Sequence, residues 1–105
     1  MNHEEHIMEL MRSWAKETEI LSNITTIKNN KHGQAIISYG QAAVNILENL
    51  LIIGNEPLLS MMALAEILQF SPVKEENRGI IDKMRNDWID YIIQSRDKRV
   101  DLNAP

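Results

Sequence analysis

The sequence contains no cysteine, so disulfides, thiol catalysis and thiolate zinc sites are excluded together. The absence fits a reducing compartment. Basic charge is missing from the centre of the chain. Ala35 to Phe70 has no Lys or Arg, and its only acids are Glu48, Glu56 and Glu66. Long apolar runs are missing as well. The uncharged run that begins at Gly33 and ends before Glu48 contains Gly, Gln, Ser and Asn, and Asn49 to Ile53 is far shorter than the roughly 20 residues of a membrane span. The first 21 residues are amphipathic and acidic, which is not a signal-peptide pattern. A cytoplasmic, soluble protein is the expectation.

The motifs of common chemistry are also absent. No Ser lies beside a His, and there is no Gly-rich phosphate loop. A net charge of −4 and a pI near 5.3 argue against non-specific nucleic-acid binding, which needs a basic face to displace counterions. In the tail, Arg96, Lys98 and Arg99 alternate with Asp97 and Asp101 and build no basic patch. The acidic clusters fall in surface-like segments, not in positions that suggest paired acid–base work.

What is present is helical. At 105 residues the chain is long enough for one domain and for a core without staples. The central stretch is rich in Ala, Leu, Met, Gln and Glu, which favour helix. Gly40, Gly54 and Pro57 divide it. The first helix is predicted over His3 to Leu21, capped by Asn2, with Ile7, Leu10, Met11, Trp14 and Leu21 inward. Ser22 to Lys31 is a connection with room for one short helical turn, from which Ile24 and Ile27 fold back onto the core. A second helix runs from Lys31 to Tyr39, with Ala35, Ile36 and Tyr39 inward, and stops at Gly40. A third covers Gln41 to Ile53. Its apolar residues occupy more than one stripe, which implies burial on two sides.

A fourth helix, capped by Asn55 with Pro57 in its first turn, reaches Gln69 and is apolar nearly all round. It is the expected hub, with Leu64 and Leu68 buried. Pro72 to Gly79 is a charged connector. A fifth helix spans Gly79 to Ser95, with Ile81, Met84, Trp88, Tyr91, Ile92 and Ser95 on one face and Lys83, Asn86, Asp87 and Asp90 on the other. The expected organisation is a single helical domain over 1–95 and a frayed tail over 96–105.

Two stretches carry a resemblance. NKHGQAIISYGQAAVNILENL, from Asn30 to Leu50, and ALAEILQFSPVKEENRGIIDKMRNDWIDYI, from Ala63 to Ile92, resemble an uncharacterised bacterial family of small, all-helical, HEAT-like proteins. The matching positions include Ile36, Ile37, Gly40, Pro72, Val73, Arg78, Gly79, Met84 and Trp88. Where that pattern has Thr-Gly after its Ile, this chain has Leu68-Gln69, and its Trp-Gly ending is Tyr91-Ile92. The resemblance implies an all-α fold: about five helices, a HEAT-like hairpin closed by N- and C-terminal helices. It implies no activity.

The candidate sites are few. His3, Glu4, Glu5 and His6 form H-E-E-H, with two histidines at i and i+3 and carboxylates between them. A zincin needs H-E-x-x-H, so this is not that motif, and an exposed polar helix start is the plainer reading. Arg78 suits either an anion site or a tie that fixes the connector, and the tie is favoured. Trp14 and Trp88 read as core first and interface anchors second. Met61 and Met62 are adjacent, so one narrow helical stripe cannot bury both; they are the best interface hint in the chain.

The reading that follows is a non-enzymatic protein–protein interaction module without a cofactor. It is an adaptor, or the neutralising partner of a bacterial effector, that binds another protein or a second copy of itself and no nucleic acid, membrane or small-molecule substrate. Met61, Met62, Trp14, Arg78 and Trp88 are its candidate contact residues. The alternative is a metal-dependent enzyme or ligand binder that uses His3 and His6.

Overall fold

The computed structural model describes residues 2–20 and 23–103. Among them are six α-helices and one 3-10 turn, and no strand. The helices are α1 (His3–Thr18), α2 (Ile24–Lys28), α3 (Lys31–Ser38), α4 (Gln41–Ile53), α5 (Pro57–Leu68) and α6 (Ile81–Asn103). The turn is Glu75–Asn77. The all-α expectation holds. The short turn allowed for in the first connection is α2. Leu21, expected to end the apolar stripe of the first helix, lies outside the described residues.

The chain divides into two compact units, Met1–Phe70 and Ser71–Pro105. In the first unit α1 packs on α3 and α4, α4 and α5 form a hairpin, and α3 also touches α5. Its core contains Ile7, Met11, Trp14, Ile27, Ile36, Leu47, Leu51 and Leu64. Leu68, expected to be buried with Leu64, is only half-buried at the end of α5.

Trp14 organises the α1–α3 contact. Its indole is fully buried, and its Nε1–H donates to the Ile27 carbonyl at 2.8 Å. The ring lies flat against the backbone of Gly33: a Cβ built there would stand 2.6 Å from Trp14 Cε2. A glycine inside a helix normally weakens it by about 1 kcal/mol relative to alanine. Here it provides the seat for the largest core side chain. Asn30 caps α3 by accepting from His32 N at 2.8 Å and Gly33 N at 3.4 Å. The Thr18 hydroxyl donates to the Trp14 carbonyl at 2.6 Å, which explains how a polar residue sits on the buried face of α1.

The helix ends follow from local chemistry. Asn2 caps α1 as expected, its Oδ1 accepting from Glu5 N at 2.8 Å. Gly40, at φ 61 and ψ −134, turns the chain between α3 and α4 in a conformation open almost only to glycine. Gly54 closes α4 in the left-handed region while Asn55 N donates to the Leu50 carbonyl at 2.9 Å. That backbone bond places Asn55 in the closure of α4. Glu56, not Asn55, therefore stands at the N-cap of α5, itself left-handed at φ 49 and without a side-chain cap. Pro57 occupies the first turn as expected.

In the second unit α6 runs on through 96–103, so the frayed tail expected from Arg96 is helical to Asn103. No Gly or Pro interrupts the chain from Ile81 until Pro105, and Arg and Lys are good helix formers. Gly79 has φ 86, the unusual dihedral expected of it.

Two substitutions test these packing arguments. Gly33→Ala raises helix propensity, but the new methyl meets a buried, rigid indole. Overpacking of this kind costs about 1–3 kcal/mol. Net destabilisation in urea titrations, despite the better helix former, is the expected result. Gln69 ends α5 in the left-handed region at φ 54. A left-handed L-residue costs about 1–2 kcal/mol. Gln69→Gly gives up only an exposed bond from Nε2 to the Glu66 carbonyl. It should raise stability by about 0.5–1 kcal/mol, read as an upward shift in Tm.

Candidate functional site

The five residues singled out as contact candidates are placed very differently. Trp14 and Trp88 are buried, so both are core. Met61 is 2 % exposed and belongs to the core, while Met62 is half-buried. The two methionines point about 100° apart on the helix, and only one faces outward. Arg78 is exposed in the connector, but the tie expected of it is made by another residue.

That residue is Asp87, expected on the solvated face of the last helix. Its Oδ2 accepts from the backbone N–H of Lys74 at 3.0 Å and from Asn77 Nδ2 at 2.9 Å. The carboxylate thus anchors the 3-10 turn to α6 within the second unit, and Asp87 is buried. The Asn77 hydrogen bond, then that from Lys74, hold its carboxyl below the usual carboxylate range. A solvated-face pattern of Lys, Asn and Asp carries no signal for this role. The nearest hint is the turn-forming stretch of the connector, which needs an acceptor.

A similar clasp ties α1 to the start of α3. Glu17 Oε1 accepts from Asn30 Nδ2 at 3.0 Å, and Glu17 Oε2 meets His32 Nε2 at 2.8 Å. The Asn30 bond, then that of His32, lower the Glu17 carboxyl below its ordinary value. Lys28 of α2 pairs with Glu66 of α5. These pairs are partly or largely exposed and position elements more than they stabilise them.

The H-E-E-H start splits across two faces. His3 and His6 turn toward Tyr39 near the end of α3, with ring centroids 5.2 and 5.6 Å from that of Tyr39. His6 Nδ1 is hydrogen-bonded to the Tyr39 hydroxyl. Glu4 and Glu5 line a separate shallow groove of about 450 Å³ with Asn2, Met8, Glu9 and Arg12. The carboxylates are therefore not gathered with the imidazoles. Among the described residues no three His, Asp or Glu side chains converge on a metal position.

A concavity lies between the end of α1 and the start of α5. This groove of about 660 Å³ is lined by Arg12, Ala15, Lys16, Thr18 and Glu19 of α1 and its end, Ile27 of α2, and Glu56, Leu58 and Leu59 of α5 and its cap. None of the five candidate residues lines it. The left-handed Glu56 turns the chain into α5 at its edge. Its lining has two cations, two acids and an apolar floor, so no single charge is concentrated there. Three exposed isoleucines stand close in sequence to lining residues, though none of them lines the groove. Ile20, next to Glu19, is 89 % exposed; Ile53, three residues before Glu56, is 72 % exposed; Ile24 is 54 % exposed. Ile53 was expected among the residues that bury α4 on two sides, but it is exposed in the last turn of that helix. The groove itself joins elements distant in sequence and has no local signature.

Among the described residues no single helix is long and apolar enough to cross a membrane. Only α3 and α4 taken together pass that test, and they are bent by 117°. Comparison with protein-family models, with characterised proteins and with solved structures finds no match.

The Asp87 anchor has a pH signature. A carboxyl depressed in the folded state contributes stability above its unfolded pKa, about 3.9, and loses it as pH falls through the lower folded value. Wild-type stability should therefore fall on acidification below about pH 4. Asp87→Asn should lose less between pH 7 and pH 3 than wild type, in paired urea denaturations. An unchanged pH slope would show that the anchor does not titrate in this way.

Proposed function

We propose that this chain is a non-enzymatic protein-binding module whose contact surface is the groove between α1 and α5 with the exposed isoleucines that adjoin its lining residues in sequence. The observation that carries the reading is this groove together with the exposure of Ile20, Ile24 and Ile53, each within three residues of a lining position in sequence. Scattered apolar residues on a surface are ordinary, but apolar side chains grouped around a concavity mark interaction sites. The floor of Ala15, Ile27 and Leu59 extends that apolar character inward, while Arg12, Lys16, Glu19 and Glu56 supply a polar rim. The contact surface therefore lies at the first turn of α5 and not at the buried Met61 in its middle.

The partner is another protein, and the chain acts as an adaptor or as the neutralising partner of a bacterial effector in the cytoplasm. Small size, acidity and the lack of nucleophile or phosphate-loop motifs support this role over catalysis. The HEAT-like reading of the α4–α5 hairpin belongs to the same proposal, because helical hairpins of that kind present their surfaces to extended partners.

Ile53→Asp tests the surface with little risk to the fold, since the side chain is largely outside the core. The expected result is retention of a partner by the wild-type chain in a native pull-down, and its loss in the variant. A central contact residue contributes about 2 kcal/mol or more, roughly a thirtyfold loss of affinity. Self-association abolished by Ile53→Asp would assign the surface to a second copy. A wild-type chain that stays monomeric at high micromolar concentration and retains no protein would overturn the reading.

A further inference from the structure

We infer that a second copy of this chain occupies the groove between α1 and α5 when no other partner is bound, in a pair related by a two-fold axis. The inference rests on the reading of that groove as the contact surface and adds what covers it at rest. The rim carries Arg12 and Lys16, one helical turn apart on α1, Glu19 at the C-cap of the same helix, and Glu56 at the cap of α5. All four side chains are exposed. Among the described residues none of the four forms an ion pair or a side-chain hydrogen bond within the chain. Four unpaired charges thus surround a floor of Ala15, Ile27 and Leu59.

The signs of these charges select the occupant. Two cations and two acids cancel, so the whole net charge of −4 lies on other faces. A basic partner is drawn to those faces rather than to this one. Two copies of an acidic chain repel each other on average and approach at least cost here. A two-fold pair sets residue i against residue j and j against i. Arg12 and Lys16 of each copy then face Glu19 and Glu56 of the other, so one rim supplies both halves of the complement. A different protein needs a matching set of its own; a second copy carries it by necessity. Two concave faces also need a projection between them. Ile20 follows Glu19 directly, so its Cα stands about 3.8 Å from that of a rim residue. It is 89 % exposed. Ile20 is the side chain that enters the other copy's groove and covers the apolar floor. The exposed charge pairs set the register, and apolar contact holds the pair together.

The test is sedimentation equilibrium of the full chain at high micromolar concentration. Wild type should tend toward twice the chain mass of 12.1 kDa. Ile20→Asp should weaken association by about tenfold or more. Two charge-reversed chains give the sharper reading. Arg12→Glu with Lys16→Glu makes the rim wholly acidic, and Glu19→Lys with Glu56→Lys makes it wholly basic. Each should be monomeric alone, because like charges set face to face cost more than matched ones contribute. An equimolar mixture of the two should recover a mixed dimer. Circular dichroism of each chain separates loss of association from loss of fold. A wild-type chain that stays monomeric overturns the inference without any variant; if it also captures a different protein through the groove, the proposed function still stands. Self-association indifferent to Ile20→Asp and to both reversals, or a mixture of folded reversed chains that stays monomeric, would overturn the inference as well.

Discussion

The first unit depends on one close contact, the face of the Trp14 indole on the Gly33 backbone. A flat ring of that size can approach a helix so closely only where no Cβ stands in the way. The approach fixes the spacing of α1 and α3. The indole N–H also needs an acceptor once buried, and the Ile27 carbonyl supplies it. That bond brings α2 over the ring and explains why a five-residue helix, too short to hold alone, has a defined place. Asn30 then caps α3 and is itself held by Glu17 of α1. Three helices are thus joined around one side chain, by one packing contact and a few polar bonds close to it.

How much of this was legible depends on what periodicity reports. Apolar spacing identifies a face, and the faces of α1 and α4 came out nearly as expected. The bounds of α4 were set by glycines at both ends, which act locally and can be read locally. Gly33 was not legible, because a glycine inside a helix looks like a weakness until the ring that needs it is known. Ile24 and Ile27 show the same limit: both were expected to cover the core, but only Ile27 does, since the Trp14 bond fixes its side of α2. Glu48 sits buried within the apolar face of α4, where spacing alone would place only hydrocarbon. Pattern identifies residues that want burial and says nothing of polar residues that tertiary contacts later enclose.

The apolar excess of α5 finds a physical outlet in this geometry. A helix with no polar face must be covered on most sides, and Leu59, Met61, Ala63 and Leu64 are. The remainder, Leu58, Met62, Ala65, Ile67 and Leu68, is half-covered. The groove against α1 opens at the first turn of this helix, beside the strained Glu56, rather than at its middle where the adjacent methionines lie. With both charge signs on its walls, the groove offers little long-range attraction to any partner. Selection there would rest on shape and apolar fit, with slow release rather than fast capture as the source of affinity.

The second unit repeats the logic of the first in polar form. There the short segment is the 3-10 turn, and the side chain that pins it is Asp87. In both units a residue of a long helix reaches a short connecting stretch 10 or 13 residues away and satisfies a polar group there. Trp14 does so by donating to a carbonyl, Asp87 by accepting from an N–H. The physical requirement is common to both: backbone groups in a short connection have no long ladder to join, and enclosing them without partners is costly. Arg78 cannot serve in the second unit, because a guanidinium has only donors and the Lys74 N–H needs an acceptor. The acid on the helix, rather than the base in the loop, is therefore the residue the connector depends on.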